Sequence, residues 1–161
     1  MSTAIGKENL NKRQAILDQY ESSIGLPINN APGDSTELED YLSMSRPQIE
    51  ALDATTAIAI SARLAQFAFY FQRAMNREIA NKIWAESELS RVVCKEVLQY
   101  DQYTPNKVEL VCRENSAAKE LRQIVIFAKQ RIARLDDIAS QFRNLGYIIS
   151  LVAKNRMGEN K

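Results

Sequence analysis

Arg73, Arg77, Trp84, Arg91 and Lys95 recur at helical spacing. On an α-helix they fall within a sector of roughly 40°, drawn out over about 33 Å of axis, with Leu64, Phe71, Met75, Ile79 and Val93 on the opposite side. Four cations around an indole can neutralise phosphates, releasing counterions, while the ring stacks on a base of any identity. That is chemistry for holding single-stranded nucleic acid without reading its sequence. The same residues admit a plainer assignment. Trp84 can pack under the N-terminal segment or against another subunit, leaving the cations in exposed salt bridges of little worth, and Glu88 near this face dilutes its charge.

Other chemistry has few tools available. The chain has no histidine, which removes the commonest general base, the commonest metal ligand and every Ser-His or Cys-His nucleophile. Cys94 and Cys112 are too far apart in sequence to imply a zinc site, and no Gly-rich phosphate loop or dinucleotide fingerprint is present. Asp136 and Asp137 are adjacent, so on a helix they diverge by about 100° and read as a solvated face. The expectation is a protein that is not an enzyme, with no catalytic residues, no metal and no cofactor.

Composition narrows the partners. The 161 residues, 45% apolar and 25% charged, lie within the ordinary globular range. A net charge of +1 provides no global attraction for polyanions, so any nucleic-acid affinity must come from a local patch. Two cysteines and no leader-like segment point to a reducing, cytoplasmic setting. The most apolar run, Ala57 to Phe71, contains Arg63 and is shorter than the roughly twenty residues of a bilayer span. No membrane partner is expected.

The elements that must position the cation face follow from Gly and Pro punctuation. Gly25, Pro27, Pro32 and Gly33 crowd together, whereas residues 48–104 and 106–145 contain neither type. This predicts an all-α fold: an N-terminal arm over 1–52, then a long antiparallel, coiled-coil-like helical hairpin over 53–161. In the arm, Lys7–Ile24 forms a helix with a thin stripe of Leu10, Leu17, Tyr20 and Ile24, ended by Gly25. Asp34 with Glu37, and Ser45 with Gln48 and Pro47, open two short helices. Asp53 caps the first long helix, which runs to about Tyr100. Thr104 and Pro105 open the next, although Val108–Cys112 also suits a short extended piece.

The last helix has heptad character. Leu121, Ala128, Leu135, Phe142 and Ile149 share one position, and Ile124, Arg131, Ile138, Leu145 and Val152 the other. Arg131 would set register if a carboxylate met it, and Gly146 costs about 1 kcal/mol relative to Ala. Such broad stripes, with the rings of Phe67, Phe69, Tyr70 and Phe71 pointing around most of the circumference, predict a homo-oligomer. Its interface would comprise those four residues with Leu135, Phe142 and Ile149. A monomeric bundle completed by the N-terminal arm is the alternative.

The stretch LAQFAFYFQRAMNREIANKIWAESE, Leu64 to Glu88, with Asn76-Arg77 and Trp84-Ala-Glu, resembles the bacteriophage UvsY-like recombination mediator family. The later Glu114–Ile149 helix occupies a similar place, so the similarity covers roughly Tyr41 to Ala153. The resemblance implies a small helical protein that forms a ring-like homo-oligomer in the cytoplasm of an infected host. It would bind single-stranded DNA and help a RecA-like recombinase displace single-strand-binding protein, with Arg73, Arg77, Arg91 and Lys95 as DNA contacts. Trp84 is added from the helical wheel. The competing expectation is a structural or scaffold protein, a virion component or helical adaptor, that uses its stripes only for protein contacts.

Overall fold

Capping and turn residues set several of the helix boundaries. The computed structural model describes residues 2–25, 35–98 and 105–159, and among them it is helical with no strand. The elements are α1 (Ser2–Ser23), α2 (Ser35–Ser43), α3 (Arg46–Glu50), α4 (Ala54–Val97), α5 (Pro105–Glu114) and α6 (Ser116–Glu159). The expected caps Asp34 and Thr104, the end of the first long helix near Tyr100 and the side chain of Leu10 lie outside the described residues.

Gly25 ends α1 as expected, at φ 76°, a left-handed conformation that an L side chain rarely tolerates. Ser45 opens α3, its backbone N–H donating to Gln48 Oε1 at 2.7 Å. Asp53 caps α4 twice: Oδ1 accepts from the Thr56 N–H at 2.9 Å, and Oδ2 accepts from the Thr56 hydroxyl at 2.6 Å. Pro105 starts α5, and Val108–Cys112 is helical, which resolves the choice left open for that segment. An unexpected cap separates α5 from α6. Asn115 Oδ1 accepts from the Ala118 N–H at 3.1 Å, while its Nδ2 donates to Glu96 Oε1 at 3.2 Å.

The chain divides into two compact units, residues 1–28 with 75–133 and residues 29–74 with 134–161. In this division α1 belongs to the first unit, α2 and α3 to the second, and α4 and α6 contribute to both. Neither long helix has a Gly or Pro at the boundary, so nothing in local sequence marks it.

In the second unit α4 and α6 pack antiparallel around Ile60, Leu64, Phe67, Phe142 and Ile149. Phe142 stacks on Phe71 with centroids 5.4 Å apart and meets Phe67 at 6.1 Å. Leu38, Tyr41 and Met44 close this core from the α2 side, and Ile49 of α3 is buried in it. Glu37 anchors α2: Oε1 accepts from the Tyr41 hydroxyl at 2.6 Å and Oε2 from Arg63 Nη2 at 3.2 Å. The Glu37 hydrogen bond, followed by burial, raises the Tyr41 pKa.

The first unit has its own core, Val93, Val97, Val111, Cys112 and Ala118, in which α5 packs on α4. Along it α4 and α6 are again antiparallel and linked by ion pairs. Glu78 meets Arg131 at 2.9 Å and Glu86 meets Lys129 at 3.7 Å. Arg131 thus finds the carboxylate it needs, but it is half exposed and not sunk in the seam, whereas Glu78 carries the burial.

A candidate nucleic-acid face on α4

Four of the five cation-face residues, Arg77, Trp84, Arg91 and Lys95, belong to the first unit, and Arg73 to the second. All lie on the continuous helix α4, which the Asp53 cap and the absence of Gly or Pro maintain. Arg91 and Lys95 are exposed, and Trp84, Arg77 and Arg73 are partly buried.

The partner that covers Arg77 and Trp84 is α1. Arg77 Nη2 pairs with Asp18 Oδ1 and meets Glu21 Oε2 at 3.1 Å. Burial works against the Arg77 charge, but the Glu21 hydrogen bond and the Asp18 and Glu21 carboxylates outweigh it and raise the pKa. Two turns along, the Arg13 guanidinium lies 5.6 Å from the Trp84 ring centroid, within cation–π range. Arg91 pairs with Glu88 at 2.7 Å, but Arg91 is 73% exposed, so this contact holds the side chain only weakly.

The face of α1 that touches α4 differs from the expected stripe. Gln14, Leu17, Asp18 and Glu21 are partly buried, whereas Tyr20 and Ile24 of the apolar stripe are exposed. Arg77 sets this orientation, since a partly buried guanidinium needs carboxylates beside it. Arg13 is the contributor that sequence reasoning missed. Its only available signal was its separation from Asp18 and Glu21, which places cation and carboxylates one to two turns apart on α1.

No family model matches the chain, nor does any curated protein or solved structure.

The seven residues expected at an oligomer interface differ in their exposure. Phe67, Phe142 and Ile149 are buried inside the second unit, Phe71 packs against the same core, and Tyr70 and Leu135 are partly buried. In that unit α2, α3 and α6 all pack against α4. Only Phe69, 53% exposed, is left facing outward from that group.

Among the described residues no group of three or more histidine, cysteine or carboxylate side chains could hold a metal ion. No described helix is long and apolar enough to cross a membrane.

Proposed function

We propose that the chain is a non-enzymatic single-stranded DNA-binding protein that acts as a recombination mediator, helping to load a RecA-like recombinase. The observation that supports the reading is that Arg91 and Lys95 are exposed on α4, on the helical face that also carries Trp84. Exposed cations in line with an indole on one helix are the combination that strand binding without sequence preference requires. Arg91 and Lys95 are the accessible phosphate partners, and Trp84 is the stacking platform.

A salt titration of oligo-dT binding, followed by fluorescence anisotropy, tests this. Affinity should fall as salt rises, and Arg91→Ala with Lys95→Ala should flatten the logarithmic slope by about 1.4, the release expected for two phosphates on a single strand. Absence of binding at low salt, or an unchanged slope in the double variant, refutes the assignment.

The scaffold reading is favoured by one observation, the exposure of Phe69 and Ile83 on α4 and of Leu98 just past its end. It predicts assemblies whose mass is the same with and without oligo-dT.

A further inference from the structure

The contact between α1 and α4 is poorly matched for a permanent one. A helix that docks for stability buries its apolar residues, yet Ile16 and Tyr20 of α1 are exposed at 65% and 60%, as is Ile24 just past its end at 55%. Leu17 is the one large apolar side chain it turns partly inward from its second half. What it presents to α4 is Asp18 and Glu21. Both carboxylates converge on Arg77 Nη2, while Arg77 Nε is buried with no hydrogen-bond partner. A matched carboxylate or phosphate would engage two guanidinium nitrogens in parallel.

We propose that α1 is an autoinhibitory strap whose carboxylates occupy the Arg77 end of the strand-binding face, and that single-stranded DNA takes their place. The inference rests on the reading of this face given above. A phosphate is the natural competitor for Arg77, because it can satisfy both Nε and Nη2 where the two carboxylates satisfy only Nη2. Departure of α1 also lifts Arg13 from the Trp84 ring, clearing the stacking surface. Because the strap is held by charge more than by apolar area, moderate salt loosens it. The strap itself is charge-balanced, Lys7, Lys12 and Arg13 against Glu8, Asp18 and Glu21, so its departure leaves the total charge unchanged and acts locally, by freeing Arg77.

The test compares three full-length proteins: the wild type, Asp18→Asn with Glu21→Gln, and Asp136→Asn with Asp137→Asn. The last pair removes the same two charges from exposed positions of α6. Oligo-dT affinity and amide hydrogen exchange of α1 are both measured. The strap variant should lose protection in α1 and bind about tenfold more tightly than wild type, the gain expected when a face open one-tenth of the time becomes open throughout. The α6 variant should gain much less. Equal gains in the two variants, or tighter binding with α1 still protected, overturn the strap while leaving strand binding intact. Failure of the strap variant to bind oligo-dT although α1 exchanges freely overturns the strand-binding reading, and the inference with it.

Discussion

The Ser61 hydroxyl donates to the carbonyl oxygen of Gly146 at 3.0 Å, a hydrogen bond that fastens α4 to α6 in the second unit. A Cβ added at Gly146 would lie 3.5 Å from Leu64 Cβ and 3.6 Å from the Ser61 carbonyl oxygen, ordinary contact distances. The glycine is therefore not required for close approach. Gly146→Ala should stabilise the fold by up to about 1 kcal/mol through helix propensity. Gly146→Leu should destabilise it by roughly 1–3 kcal/mol by overpacking. Chemical denaturation of both variants checks the pair.

Thr56, through its hydroxyl first and its backbone N–H second, holds the Asp53 carboxyl below the usual carboxylate range. A carboxyl with a lowered folded-state pKa adds stability above its unfolded pKa and loses it as pH falls through the folded value. Asp53→Ala should lower the thermal midpoint at pH 7 by removing the cap. Asp53→Asn should retain most of the cap while removing this carboxyl's share of the acid-induced destabilisation. Thermal melts from pH 7 down to pH 2 distinguish the two effects.

Phe142 and Phe69 should behave oppositely. Phe142 is 3% exposed and touches two other rings, so Phe142→Ala should cost about 3–5 kcal/mol. Phe69 is 53% exposed, and Phe69→Ser should change stability by no more than about 0.5 kcal/mol. Urea unfolding of the two variants measures both.

The all-α hairpin was legible because Gly25, Asp53 and Pro105 each dictate local backbone or capping geometry, and long tracts without breakers leave helix as the only regular option. The α5–α6 break was harder to see. Asn115 is a good cap, but it is followed by Ser116, Ala117 and Ala118, which are compatible with a continuing helix. The side chain that decides the break also reaches Glu96, a residue 19 positions away. Interior and exterior aromatics could not be separated because Phe67, Phe69, Tyr70 and Phe71 are contiguous, and what covers them comes from α2, α3 and α6. The cation face itself was legible from 3.6-residue periodicity. Cover by the N-terminal segment was one of two readings the residues allowed; the face by which α1 docks was not legible, because it docks through carboxylates and apolar periodicity points to another side of that helix.

Trp84 is the only tryptophan in the chain, so its fluorescence reports directly on the face to which strand binding is assigned. Oligo-dT added to the wild-type protein at low salt should quench and shift the Trp84 emission in parallel with the anisotropy of a labelled strand, and salt should reverse both. Emission that stays constant while the strand binds would place the DNA elsewhere and contradict the account.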